Sequence, residues 1–222
     1  MCWNADISLN TFLFGCFSLV FIYITNTYTR YKTSLFDNPL LYVLSFFIIS
    51  MQLFEYFVWR NLTNKRINRQ LSMVGLGLLF AQVFTSILLL QVYRETVFLL
   101  FLFTCLGIYY YSTISPFDFR TTVSNGHLSW RWTYLPAMPR WVQQLVVCLV
   151  VLFYFLPWFL LPNPTKWIVL PIALFLFLLA SFINKRDFTY GSLWCWFSNV
   201  FFFLALLNIL LVQPFREYNG LC

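Results

Sequence analysis

Seven stretches of the chain read as runs of mostly apolar residues broken by short polar connections: 7–25, 39–59, 71–92, 96–114, 141–161, 167–183 and 192–212. A helical membrane crossing needs about 20 such residues. Lipid offers the backbone no hydrogen-bond partners, so each stretch is predicted to be a helix. The long connection at 117–134 has a different period. Its centre is Asn125-Gly126, a pair that tolerates positive φ at both central positions of a type I′ turn. Pairing Ser124 with His127 places Val123, Thr121, Phe119 and Phe117 on one face with Leu128, Trp130, Trp132 and Tyr134. Thr122, Arg120 and Asp118 then share the other face with His127, Ser129, Arg131 and Thr133. This division predicts a β-hairpin over 117–134 whose aromatic face suits the bilayer interface or the mouth of the bundle. The expected fold is an all-α integral membrane protein, one domain over 1–222, with seven helices and a hairpin between the fourth and fifth.

Composition supports a membrane setting. Of 222 residues, 61% are apolar and 9% charged, against about 25% charged in soluble domains. A soluble globular protein and a disordered chain are both excluded. Fourteen Lys and Arg against seven acidic residues read as membrane-flanking charge rather than a nucleic-acid surface. The amino terminus and the second, fourth and sixth loops carry nine of these cations and the other side five. The positive-inside rule therefore predicts a cytosolic amino terminus and an external or lumenal carboxyl terminus. The sequon Asn61-Leu62-Thr63 then falls on the cytosolic side. No basic region precedes the first run, which is expected to be retained rather than cleaved.

Polar residues within the apolar runs are the candidates for function. Glu55 is the only acidic residue in a predicted span, about one turn from Arg60, where it could reach water or pair with that arginine. Gln52, Glu55 and Trp59 share a helical face. Ser192, Cys195 and Asn199 form a second stripe beside Trp194 and Trp196, and Gln82, Gln143 and Gln144 add further polarity. Seven crossings put Cys2, Gln52, Glu55, Trp59, His127, Gln143, Trp194 and Cys195 on one membrane side. A polar vestibule floored by Gln52, Glu55, Cys195 and Asn199 is the expected site. The alternative is that these groups are only interhelical packing contacts. The other side carries Asn26, Asp37, Arg94, Glu95 and Lys166, read as ordinary loop residues.

Arg120 and Arg131, with His127, are candidates for holding a lipid phosphate or another anion, unless Asp118 neutralises them. Loss of the initiator Met would leave an amine and a thiol together on Cys2. The six cysteines include no CxxC, and with His127 as the single histidine no metal site is expected. Cys16, Cys105 and Cys148 lie inside apolar runs and read as small hydrophobes.

Three patches carry a resemblance: Met1-Cys2-Trp3-Asn4-Ala5, Gln52-Leu53-Phe54-Glu55 with Trp59, and Leu193-Trp194-Cys195-Trp196-Phe197. Together they resemble a group of uncharacterised polytopic membrane proteins from bacteria, eukaryotes and large DNA viruses that begin Met-Cys-aromatic and carry Gln-x-x-Glu in an early span. The resemblance marks Cys2, Gln52, Glu55, Trp59, Trp194 and Cys195 without implying a reaction. Bacterial members have Phe-Ser where this chain has Trp3-Asn4. The layout is also similar to that of microbial rhodopsins. Their retinal lysine has no counterpart in 192–212, so no retinal cofactor is expected.

Three functions follow in order of preference. The first is a bundle that conducts, carries or binds a small solute or ion, with Glu55 as selector or proton-linked group. The second is a membrane enzyme using Cys2 or Cys195 as nucleophile with His127 or Glu55 as base. The third is a structural or assembly protein. Expected partners are the bilayer and its anionic headgroups, with oligomers allowed.

Overall fold

In a computed structural model of the chain, residues 4–114, 119–130, 138–160, 166–183, 189 and 199–219 are described. Helix α1 spans Ala5–Tyr28 and is followed by a 3-10 turn at Ser34–Asp37. Helices α2 Pro39–Arg60, α3 Lys65–Leu88 and α4 Arg94–Ile114 come next. Strands β1 Thr122–Ser124 and β2 His127–Ser129 then precede α5 Arg140–Leu160 and α6 Lys166–Ile183. The last segment is α7 Asn199–Leu207, a π-helical turn Asn208–Val212 and α8 Gln213–Tyr218.

Asparagines start the first three helices. Asn4 Oδ1 accepts from Ile7 N at 2.9 Å, Asn38 Oδ1 from Leu40 N at 3.0 Å, and Asn64 Oδ1 from Ile67 N at 3.1 Å. Each bond satisfies one of the donors a helix start leaves open. The Asn64 cap explains why α3 begins six residues before the predicted span at 71: hydropathy marks the apolar stretch, whereas the hydrogen-bonded helix runs on through Lys65–Gln70. At its other end α3 stops at Leu88, short of 92, and Tyr93 turns the chain with a φ of 61°.

Among the described residues, five helical segments are long and apolar enough to cross a membrane: α1, α2, α3, α4 and the continuous stretch Asn199–Tyr218. The 24 residues of α1 extend about 36 Å, more than the ~30 Å hydrocarbon core. The chain is therefore a multi-pass membrane protein. Many large apolar side chains are exposed, with Phe17, Phe103, Phe175 and Phe182 among them. Shorter apolar stretches lie in α5 and α6, at Arg140–Leu156 and Leu170–Ala180. Both helices continue through a proline, Pro157 in α5 and Pro171 in α6. Residues 192–198 of the predicted last span lie outside the described residues.

Helix α2 is central, packed by α1 on one side and α3 on the other, while α7 lies on α1 and α5 on α3. Glycines set the close approaches. A Cβ on Gly15 would sit 2.8 Å from the Ile49 side chain and 3.2 Å from Asn199 Oδ1. One on Gly75 would sit 2.7 Å from the Phe54 ring. The α2–α3 register set there continues to Gln82, whose Nε2 donates to Phe47 O at 3.3 Å. Gly75→Val is expected to displace Phe54 and to destabilise the protein by about 1–3 kcal/mol, read as a lower midpoint of thermal unfolding in detergent.

The strands pair antiparallel, with Ser124 opposite His127, Val123 opposite Leu128 and Thr122 opposite Ser129. Asn125 and Gly126 have φ of 50° and 75°, the sign a type I′ turn demands at both positions. Burial follows the strand more than the face. Leu128, Ser129 and Trp130 are buried, while Thr122 and Val123 of β1 are exposed. The predicted strand ends at 117–118 and 131–134 lie outside the described residues.

Candidate functional site

The inward stripe of α2 is buried as its spacing requires. Gln52 and Glu55 are both 0% exposed, and Trp59, half-buried, packs with Met51, Phe54 and Val58. The expectation that Glu55 reaches water is not met, and Arg60 beside it is exposed. Between described residues the ion pairs are Arg30–Glu217 and Arg94–Glu95. A carboxyl group enclosed in this way must hold a proton or be offset by donors or a cation, because transfer of a bare charge out of water is prohibitive.

The hairpin packs on the neighbouring face of α2, which Trp59 also borders. Leu128 and Trp130 enter the same apolar cluster as Met51, Phe54 and Val58. The Trp130 ring meets Phe54 edge-on with centroids 6.0 Å apart, an arrangement the ring quadrupoles favour. Phe119 packs against the cluster from the other strand.

What holds the hairpin down is a buried polar clasp that sequence reasoning missed. Asn68 Oδ1 accepts from Thr121 N at 2.9 Å, and Asn68 Nδ2 donates to Thr121 O at 3.0 Å. Ser72 Oγ accepts from Thr121 N at 3.1 Å and bonds Thr121 Oγ1 at 2.8 Å. The Asn68 amide thus pairs with the Thr121 backbone as a neighbouring strand would. Asn68, Ser72 and Thr121 are each at most 2% exposed. The available signal was the i, i+4 spacing of Asn68 and Ser72, hidden because 65–70 reads as a polar loop.

The other candidates divide. Asn199, 8% exposed, faces Gly15 and Ile49, which places it about one helical turn from Gln52 and two from Glu55. It also lines an open groove of about 360 Å³ with Asn10, Thr11, Phe14, Val200 and Phe203. Gln82, bonded to the α2 backbone at Phe47, is about 12 Å along the helix from Glu55 and belongs to another layer. Gln143 donates to Met138 O at 3.0 Å, at the start of α5. Arg120 is half-buried in the strand approach. Cys2, Arg131, Trp194 and Cys195 lie outside the described residues. Cys16 and Cys105 are half-buried free thiols, and Cys148 is exposed.

His127 is half-buried on β2, and desolvation lowers its pKa from the ordinary 6.5. The undocked hairpin therefore binds the proton more readily than the docked one. His127 therefore does not oppose docking above about pH 6.5 and opposes it increasingly as pH falls from there through the lowered value. Proteolytic protection of the hairpin is expected to decline between pH 7 and pH 5, and His127→Gln to flatten that decline.

Two ends of the bundle are thereby distinguished. The start of α1, the end of α2, the start of α3 and the hairpin share one end. Tyr31 and Arg30, past the end of α1, meet Glu217 of α8 at the other. No protein family matches the chain, and neither a curated protein nor a solved structure matches it.

Proposed function

We propose that the protein is a seven-crossing membrane carrier or channel for a small solute or ion, with Glu55 as its selecting or proton-linked group. The observation that carries this reading is the complete burial of Glu55 and Gln52 one turn apart on the central helix, beside a hairpin clasped to α3. Ionisable groups inside membrane bundles are costly and characteristically line ion or substrate pathways. The hairpin acts as a lid: it excludes water while docked and admits the solute when the Asn68–Thr121 clasp opens. Asn199 and Trp59 complete the lining, with Cys2, Trp194 and Cys195 assigned to the same end.

Counting α5 and α6 as crossings gives seven. The positions of α1's start and of α8 at opposite ends of the bundle support an odd number. In this reading the amino terminus and hairpin face the cytosol, and Arg120 and Arg131 meet anionic headgroups there.

Reconstitution in liposomes tests the proposal. Flux of protons or a small cation above that of empty vesicles, kept in Cys2→Ser and Cys195→Ser, supports transport. Absence of flux with selective thiol labelling that blocks turnover of a lipid substrate favours the enzyme reading instead. Variants that change only yield and thermal stability leave a structural role.

A further inference from the structure

The end of the bundle away from the hairpin holds a second polar site. Arg30, Tyr31, Lys32, Thr33 and Ser34 of the α1–α2 connection face Asn208, Gln213, Arg216 and Glu217 of the last segment across a cavity of about 600 Å³. Three cations and one carboxylate line it. Glu217 is already engaged, because Arg30 pairs with it and Tyr31 Oη donates to it at 2.7 Å. Among the described residues no carboxylate lies within ion-pair distance of Lys32 or Arg216, and both are exposed. The balance is positive.

The walls are fixed in advance. Asn26 clasps the backbone of Thr33 from both sides, Oδ1 accepting from Thr33 N at 2.8 Å and Nδ2 donating to Thr33 O at 3.2 Å. Gln213 Nε2 donates to Lys32 O at 2.8 Å. Thr33 is 9% exposed, yet its hydroxyl makes no hydrogen bond among the described residues.

The helix opposite is shaped to match. Pro214 has no N–H for the carbonyl of Leu210, and the chain answers with a π turn in which Gln213 N donates to Asn208 O. In an α-helix a residue and its fifth successor point about 140° apart; the i→i+5 bond brings them nearly into line. Asn208 and Gln213 therefore both line the cavity. Asn26, expected to be an ordinary loop residue, lies in α1 and clasps the Thr33 backbone.

We infer that this cavity binds a phosphate group, a phosphomonoester or phosphodiester, through Lys32, Arg216 and Arg30. Arginine and lysine are the usual complement of phosphate oxygens. The site is independent of Glu55 and of transport. The phosphate can belong to a phospholipid headgroup or to a free solute, and two arms of one experiment separate these.

The full-length protein is exchanged into equal mixtures of phosphatidylglycerol and phosphatidylcholine, and retained lipids are counted by native mass spectrometry. In parallel, inorganic phosphate is titrated against thermal unfolding in a detergent without phosphate. A preference of at least fivefold for phosphatidylglycerol, brought to parity by Lys32→Gln/Arg216→Gln and kept by Lys32→Arg/Arg216→Lys, establishes a headgroup site. Stabilisation by millimolar phosphate with the same variant pattern, and no lipid preference, establishes a free-phosphate site. The inference is overturned if neither ligand binds, if the Gln variant binds as well as wild type, or if only Arg120→Ala/Arg131→Ala removes the preference.

Discussion

Glu55→Gln is expected to reduce solute flux at least tenfold while leaving the thermal midpoint within a few degrees of wild type or above it. The substitution keeps size and one carbonyl acceptor but removes the ionisable group. Both Glu55 and Gln52 are wholly enclosed, so a neutral amide relieves whatever desolvation the carboxyl carries. A packing role predicts an unchanged or improved fold with unchanged flux, because buried ionisable groups are frequently replaced without loss of stability. A selecting role predicts loss of flux from a well-folded protein. Flux and thermal midpoint measured on one preparation separate the two.

Asn68→Leu is expected to release the hairpin. The side chain of Asn68 makes two bonds to Thr121 in a region at most 2% exposed. Each bond contributes about 1 kcal/mol net, and a buried carbonyl left unpaired adds about 1–3 kcal/mol. Ser72 still accepts from Thr121 N, so one of the two backbone groups stays satisfied. The expected loss of docking free energy is roughly 2–4 kcal/mol, a shift of some 30- to 1000-fold in the docked population. Hydrogen exchange at 119–130 and cleavage at the Asn125-Gly126 turn report it directly, and Ser72→Ala should give a smaller change in the same direction.

Much of this architecture is legible in the chain because lipid leaves the backbone few choices. Within the described residues the apolar runs correspond to helices, and Asn125-Gly126 specifies the pairing of Ser124 with His127 that the strands adopt. The i, i+3, i+7 stripe of Gln52, Glu55 and Trp59 foretells which side of α2 turns inward. The parts that escaped depend on contacts between distant segments. Asn68 and Ser72 acquire meaning only when Thr121 arrives from 49 or more residues away. Gln82 lies on an inward face like Glu55, yet its depth along the bundle follows from where α3 meets α2 at Gly75, which no local pattern contains. Asn26 reads as a loop amide until Thr33 folds back onto it. Composition places charge at the carboxyl end but does not show that the α1–α2 connection and the last helix enclose a cavity there.

In the proposed function the Glu55 carboxyl lies beneath the hairpin and is reached when the hairpin lifts. A water-soluble carbodiimide with an amine nucleophile, followed by peptide mass spectrometry, measures this at the residue itself. Little modification of Glu55 in the wild-type protein and at least tenfold more in Asn68→Leu is the predicted result. Equal and rapid modification in both proteins would contradict it.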